Sequence, residues 1–436
     1  MTAQSSLTGW LAETPSAQPQ QDVFLTAADP VAAARQHLAE TTLRADAGGR
    51  VGLELEHHLV DLARPGRRPT WDDVTRLHEQ IGVMPAGSSV TFEPGGQVEL
   101  STPPAAGLVE AVTALRSDVT ALRDRLRTAG YGAAGLGSDL ARAPGRINPH
   151  TRYRAMEQHF DALGFAGSGM EMMTATAALQ VNLDAGPASG WQARVGLART
   201  MVPMLVAASS TSPWLGGRTS GWHSMRQGTW QGIDHGRSDP VPLGDPVSAW
   251  ATYALDAPVM LVRDGDELAP VTERIPFAQW LRGAARGRHP FGRPPTTADL
   301  DYHLTTLFPP VRPRGYLELR CLDALPDRWW PALAAITVTL VDNPVAADAA
   351  ADLCASVSDS WDTAARHGLH DEAVRKAVTG CVDVALRHCP AELLPEVEEY
   401  AVLLDAGSSP SQELRRRIEA IGPLAVLEEE ARGLTD

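Results

Sequence analysis

The segment Val51-Gly-Leu-Glu-Leu-Glu-His-His-Leu-Val-Asp61 alternates as a half-buried β-strand does, with Val51, Leu53 and Leu55 on one face and Glu54 and Glu56 on the other. Two same-face glutamates on one strand need no special explanation. Here the pattern recurs three times. In Ser89-Val-Thr-Phe-Glu-Pro-Gly-Gly-Gln-Val-Glu-Leu-Ser101, Pro94-Gly95-Gly96 divides the run into the two short strands of a hairpin, and Glu99 shares a face with Gln97 and Ser101. Leu179-Gln-Val-Asn-Leu-Asp184 sets Gln180, Asn182 and Asp184 opposite Leu179, Val181 and Leu183. Tyr316-Leu-Glu-Leu-Arg-Cys321 places Glu318 and Arg320 on one face.

Helical signals surround these strands. Pro30-Val-Ala-Ala-Ala-Arg-Gln-His-Leu begins a helix with proline at its favoured first position, and Trp71 to Ile81 reads as a short amphipathic helix. Leu108, Val112, Leu115, Val119, Leu122 and Leu126 step by four and three, which predicts a long helix ending near Gly130. Trp191 to Ala208 is a further, mostly apolar helix, and Ser212 to Arg237 reads as a long Gly-, Ser-, Arg- and Trp-rich loop of the size that carries function. The expected fold class is α+β: an antiparallel sheet with one polar face, wrapped by helices. Residues 1–29 read as a loose leader, 30–325 as the sheet domain, and 326–436 as an Ala-rich, acidic helical region packed on it.

Composition narrows the function classes. The chain has 436 residues, a formal net charge of −15 and 44% hydrophobic residues, as a soluble globular protein does. That charge argues against bulk attraction to nucleic acid or anionic lipid, so an anionic ligand has to be captured by locally placed arginines. Cys321, Cys354, Cys381 and Cys389 form no Cys-x-x-Cys pair, which argues against a zinc framework or a disulfide scaffold. The start of the chain lacks a basic and apolar signal pattern, and the apolar run Trp329 to Val341 is too short for a bilayer of about 20 residues' span. A cytoplasmic protein with no membrane and no obligate protein partner is expected.

If the four strands share one sheet, Glu54, Glu56, Glu93, Glu99 and Glu318 converge with Gln97, Gln180, Asn182 and Arg320. Two carboxylates about 4 Å apart repel by roughly 4 kcal/mol at an effective dielectric near 20. Five of them call for protons or cations, and an all-oxygen donor set favours magnesium, with manganese as an alternative, over zinc. Taken singly, each pair also fits the solvated outer face of an amphipathic strand. Carboxylate-held magnesium commonly serves phosphate chemistry, yet the chain has no Gly-x-x-x-x-Gly-Lys-Ser/Thr loop, and Gly135-Leu-Gly137 lacks the dinucleotide spacing. Phosphates would then be held by metal and arginine on a sheet. His57 and His58 point to opposite faces of their strand, so at most one can join the carboxylates.

Five of these motifs, in order between about residues 50 and 325, resemble the glutamate–cysteine ligases: Val51-Gly-Leu-Glu-Leu-Glu, Phe92-Glu-Pro-Gly-Gly-Gln-Val-Glu-Leu-Ser, Gln180-Val-Asn-Leu-Asp, Ser224-Met-Arg-Gln-Gly-Thr-Trp and Tyr316-Leu-Glu-Leu-Arg. The resemblance is to the plant-type branch and its actinobacterial relatives, which make γ-glutamylcysteine for ergothioneine synthesis. It implies a glutamine synthetase-like funnel of curved antiparallel sheet, with glutamate, cysteine and ATP as small-molecule substrates and a γ-glutamyl phosphate intermediate. By motif position it implies magnesium ligation by Glu54, Glu56, Glu93, Glu99 and Glu318. Gln180 stands where some bacterial members carry a metal-binding histidine. Arg320, with Asn182, matches the groups at the transferred phosphoryl. Arg226 and Trp230 match the glutamate pocket, and Arg152 the grip on glutamate's α-carboxylate. Another amine acceptor, or a metal-dependent phosphohydrolase on the same sheet, is the alternative.

Overall fold

The computed structural model describes residues 23–434 apart from 27, 265 and 266. Most of the expected 1–29 leader therefore lies outside the described residues. Of its last part, Leu25 is buried and donates its N–H to the Pro295 carbonyl at 2.9 Å, and Phe24 bridges Thr296.

The centre of the fold is β1 (Val51–Asp61), because three strands pair with it. It lies antiparallel to β3 (Val98–Ser101), β4 (Tyr131–Ala134) and β5 (Ala178–Leu183), while β2 (Ser89–Phe92) pairs with β3. Two small hairpins follow in the chain, β6 (Trp214–Leu215) with β7 (Arg218–Thr219) and β8 (Leu261–Asp264) with β9 (Glu267–Pro270). Finally β10 (Val311–Pro313) and β11 (Leu317–Asp323) complete a seven-stranded antiparallel sheet in the order β10-β11-β5-β1-β3-β2, with β4 on the far half of β1.

Alternation decides which face is buried. Val51, Leu53, Leu55, Val98, Leu100, Val181, Leu183, Leu317 and Leu319 are all at most 1% exposed and form one side of the main core. The helices Leu108–Thr128, Trp191–Ser209 and Trp330–Asp342 pack against that side. Trp330–Asp342 is buried from its first residue to Val341, which is why it carries no polar stripe. The same core continues through Val374, Val378, Val397 and Tyr400, so the C-terminal helices and the sheet share one interior. A second core joins the Pro30–Thr41 helix to Pro246–Asp256, Phe277–Ala284 and Thr297–Leu304.

The stretch Ser212–Arg237 differs from its expected reading as a loop. It holds the β6–β7 hairpin, the helix Met225–Gln231 and a four-residue helix His235–Ser238. Ser224 starts the Met225–Gln231 helix by accepting the Gln227 N–H on its side chain, the usual role of serine at an N-cap. Among the described residues no single helix is long and apolar enough to cross a membrane, and the one helix pair that approaches this is bent by 100°.

Candidate active site

Register places the polar side chains in rows across the sheet. Glu56 lies opposite Glu99, and Glu99 opposite Thr91. Glu54 lies opposite Gln180 on one side and Ser101 on the other. Glu318 stands between Asn182 and Arg312. A bulge between Leu319 and Leu322 shifts the β11–β5 register just past these residues. Arg320 spans the rows: its Nη1 donates to Gln180 Oε1 at 2.5 Å and lies 3.3 Å from Glu318 Oε1.

Hydrogen bonds orient the carboxylates of Glu54, Glu56 and Glu99 without neutralising them. Asn182 Nδ2 donates to Glu54 Oε1 at 2.8 Å. The Ala178 N–H donates to Glu56 Oε2 at 2.9 Å, with Gln180 Nε2 at 3.5 Å from Oε1. Glu99 Oε1 accepts from Ser101 Oγ at 2.8 Å and Thr91 Oγ1 at 3.1 Å. Glu93 sits in the hairpin turn, its N–H donating to the Gln97 carbonyl at 2.8 Å.

Charge is divided along the sheet. At the β10–β11 end, Arg312 grips Glu318 with Nε at 2.5 Å and Nη2 at 3.0 Å, and Arg314 approaches at 3.4 Å. Burial alone would push the Glu318 pKa up, but Arg312 and Arg320 more than reverse that and hold it at about 2. At the β1–β3 end the arginines are too few. Burial, then Glu99 and Glu318, raise Glu54 to about 7 against the opposing Asn182 and Arg320. Glu56, Glu93 and Glu99 are likewise raised, by burial first; Glu99 and Glu56 add to the rise at Glu93, and Glu56 at Glu99. Four carboxylates with oxygen donors only and too little positive charge suit a hard divalent cation. Among the described residues no group of three or more His, Cys, Asp or Glu is set to hold a metal ion as the side chains stand. Side-chain rotation of Glu54, Glu56, Glu93 and Glu99 would have to close the ligand set.

The other expected residues divide. Arg226 is 3% exposed, and Glu56 and Asp323 oppose the lowering of its pKa by burial. Its Nη2 donates to the Arg320 carbonyl at 2.7 Å, and its Nη1 has no hydrogen-bond partner. Trp230, one helical turn later, packs against Phe308 with ring centroids 5.2 Å apart. Arg152 is turned elsewhere: its Nη2 donates to the Thr305 carbonyl at 3.1 Å, and its guanidinium lies 5.0 Å from the Tyr302 ring centre. Gln97 corrects its expected place in the cluster, because its Nε2 donates to the Thr176 carbonyl at 2.8 Å and ties the hairpin to the helix Ala166–Ala175. His57 and His58 are both buried and held neutral, chiefly by that burial, with His58 near pKa 4 beside Arg142 and Arg68.

Arg312, Arg314 and Asp323 belong to the site and escaped the sequence reading. Val311-Arg-Pro-Arg314 carries an i, i+2 pair of arginines, but Pro313 between them breaks the strand pattern that marks the other rows. Asp323 has no local signal, since its partners are Thr211, Ser212 and Ser224.

Comparison with known proteins yields a consistent set of relatives. The family model described as glutamate-cysteine ligase family 2 matches residues 50–434. Glutamate–cysteine ligase EgtA of Mycolicibacterium smegmatis is 47% identical over 416 residues, covering 94% of this chain and 96% of that protein. The EgtA of Mycobacterium tuberculosis is also 47% identical, over 89% of this chain and 91% of its own. The chloroplastic glutamate–cysteine ligase of Arabidopsis thaliana is 30% identical over 74% of this chain and 62% of that one. Among solved structures, a glutamate–cysteine ligase of Francisella tularensis in complex with AMP aligns with a TM-score of 0.54 over 89% of this chain and 88% of that one. At 15% identity, that likeness is one of fold.

Proposed function

The chain belongs to glutamate–cysteine ligase family 2, and from that premise we propose how its sheet divides the work of an ATP-dependent ligase that joins L-glutamate to L-cysteine. The observation that carries the proposal is the segregation of charge, with arginines at β10–β11 and uncompensated carboxylates at β1–β3.

A free carboxylate is a poor acyl donor, because its leaving group would be oxide. Transfer of the γ-phosphoryl of ATP to glutamate's γ-carboxylate gives γ-glutamyl phosphate and ADP. The amine of cysteine then attacks the acyl carbon, loses a proton and expels phosphate. Magnesium, or manganese, held by Glu54, Glu56, Glu93 and Glu99 would supply charge neutralisation for the phosphates, and Glu318, a ligand by motif position, would join them on release from Arg312. Arg320 offers a fixed guanidinium beside them, held in place by Gln180 and Glu318. Asn182 orients Glu54 from the neighbouring row, where it lies opposite Glu318, and would reach the phosphates from there. Arg226 has a buried Nη1 with no hydrogen bond, a fit for a substrate carboxylate, with Trp230 as the adjoining wall. The role of Arg152 at the α-carboxylate rests on motif position, and taking it up would require release from Thr305. Fixing glutamate against ATP contributes through orientation as much as through any single contact. The γ-glutamylcysteine so formed is the precursor that the actinobacterial resemblance assigns to ergothioneine.

Incubation with ATP, magnesium, glutamate and cysteine under reducing conditions should release ADP and γ-glutamylcysteine one for one. A panel of amino acids in place of cysteine reports the acceptor. Phosphate release that ignores the amine would replace the ligase reading by a phosphohydrolase.

A further inference from the structure

Asp323, the last residue of β11, is 1% exposed and carries more hydrogen bonds than its place at a strand end requires. Its Oδ2 accepts from the Thr211 N–H at 3.0 Å and from Ser212 Oγ at 2.6 Å. Its Oδ1 accepts from Ser224 Oγ at 2.8 Å and lies 4.0 Å from Arg226 Nη1. Ser212 Oγ in turn accepts the Arg226 N–H at 3.1 Å, and Ser224 Oγ caps the helix through the Gln227 N–H at 3.3 Å. Both side-chain bonds that start the Met225–Gln231 helix therefore lead back to one carboxylate. A Cβ on Gly137 would overlap that carboxylate, so the glycine leaves the room it needs.

The consequence concerns the orphaned guanidinium nitrogen. Arg226 is buried with Nη2 fixed on the Arg320 carbonyl, and Nη1 faces Asp323 at 4.0 Å without a hydrogen bond. A guanidinium stays charged wherever it is buried, and it is costly to keep it there in one rotamer unless a counter-charge faces it. Asp323 and Glu56 are the two anions that do so. Glu56 belongs to the carboxylate group assigned to the metal, which leaves Asp323 as the one outside that group.

We propose that Asp323 is the positioning residue for the glutamate site: it anchors the Ser224 cap and faces Arg226 so that the free Nη1 is presented to a substrate carboxylate. The inference rests on the reading of Arg226 as a glutamate contact. Asp323 itself touches no substrate. Asp323→Asn is the informative change, because the amide oxygen can still accept from Thr211 and Ser212 while the amide nitrogen can donate to Ser224 Oγ. The charge toward Arg226 is lost, and the Ser224 hydroxyl, which now donates to Oδ1, has to turn its own proton elsewhere.

Steady-state kinetics of Asp323→Asn, Arg226→Gln and the double variant, with thermal midpoints alongside, test this. The expected result is a KM for glutamate raised roughly tenfold in each single variant, with the KM for ATP within about twofold and no further rise in the double variant. Arg226→Gln that raises the glutamate KM while Asp323→Asn leaves it unchanged overturns the inference and spares the reading of Arg226. Arg226→Gln without effect overturns both. Additive effects in the double variant, or a parallel rise in both KM values, would also overturn it, since Asp323 would then act on the fold at large. Should Asp323→Asn fail to fold, Ser224→Ala is read by the same criteria: a rise confined to glutamate supports the proposal, and unchanged or parallel values overturn it.

Discussion

Glu54 and Glu318 stand two strands apart on one sheet and respond to it in opposite ways. Glu318 is 1% exposed and sits in the fork of Arg312, itself 8% exposed. Converting Glu318 to glutamine leaves that guanidinium buried without its counter-charge, an error that typically destabilises by about 3–5 kcal/mol. Urea unfolding of metal-free Glu318→Gln should show a loss of that size together with loss of turnover. Glu54 is held near pKa 7 by burial and by its neighbours Glu99 and Glu318, so its charge is a burden in the absence of a cation. Glu54→Gln should therefore raise the thermal midpoint in chelator by an amount on the order of 2 °C, shrink the rise that magnesium produces in the parent protein, and abolish ligation. A midpoint that falls in chelator would mean that Glu54 is satisfied as it stands and does not await a cation.

At the scale of elements, the strands were legible because one polar and one apolar face leave a period of two in the sequence. That is why β1, β3, β5 and the start of β11 could be placed from Glu54, Glu99, Gln180 and Glu318. β10 was not, because Pro313 interrupts Val311-Arg-Pro-Arg314, and proline is tolerated only where a strand has a free side, which β10 has as the sheet edge. The bulge after Leu319 and the knot around Asp323 depend on partners about a hundred residues away, so no local pattern announces them. Gly135 and Gly137, a weak motif in sequence, are close-approach points beneath Leu325 and Asp323. The Pro30–Thr41 helix, correctly expected from Pro30, carries a contact no periodicity reveals: His37 Nε2 lies 2.7 Å from Asp301 Oδ1. That hydrogen bond raises the His37 pKa above 6.5, with burial opposing it. The contribution is then fully present below about pH 6.5 and is lost as the pH rises through the higher folded value. Amide exchange across residues 30–41, corrected for its intrinsic pH dependence, should show less protection at pH 8.5 than at pH 6. His37→Asn should remove that difference, and a helix equally protected at both values would assign His37 no role in docking it.

For the molecule as a whole, the question is whether the last helices finish the fold or merely rest on it. β4 occupies the far half of β1, and its outer side is covered by the helix Pro423–Arg432. Val426 and Leu427 are fully buried there against Val60, Ala134, Leu136 and Leu140, and a Cβ on Gly132 would overlap the Ala431 carbonyl. Arg432 Nη2 donates to the Leu62 carbonyl at 3.0 Å, closing the end of β1. The preceding helix Pro410–Ile421 reaches the segment before Arg226, with Arg415 Nη2 donating to the Trp222 carbonyl at 2.5 Å, two residues before the Ser224 cap. The final turns of the described chain thus support both the sheet's centre and the segment that carries Arg226. Leu427→Ala should behave as a core substitution, lowering the unfolding free energy by about 2–5 kcal/mol. Leu434→Ala, only seven residues later but 68% exposed, should stay within about 0.5 kcal/mol of the parent. Urea titrations of the two variants separate the cases. Equal and small losses would mean that the C-terminal helices lie on a sheet already complete without them, whereas the expected contrast makes them part of the same cooperative unit as β1.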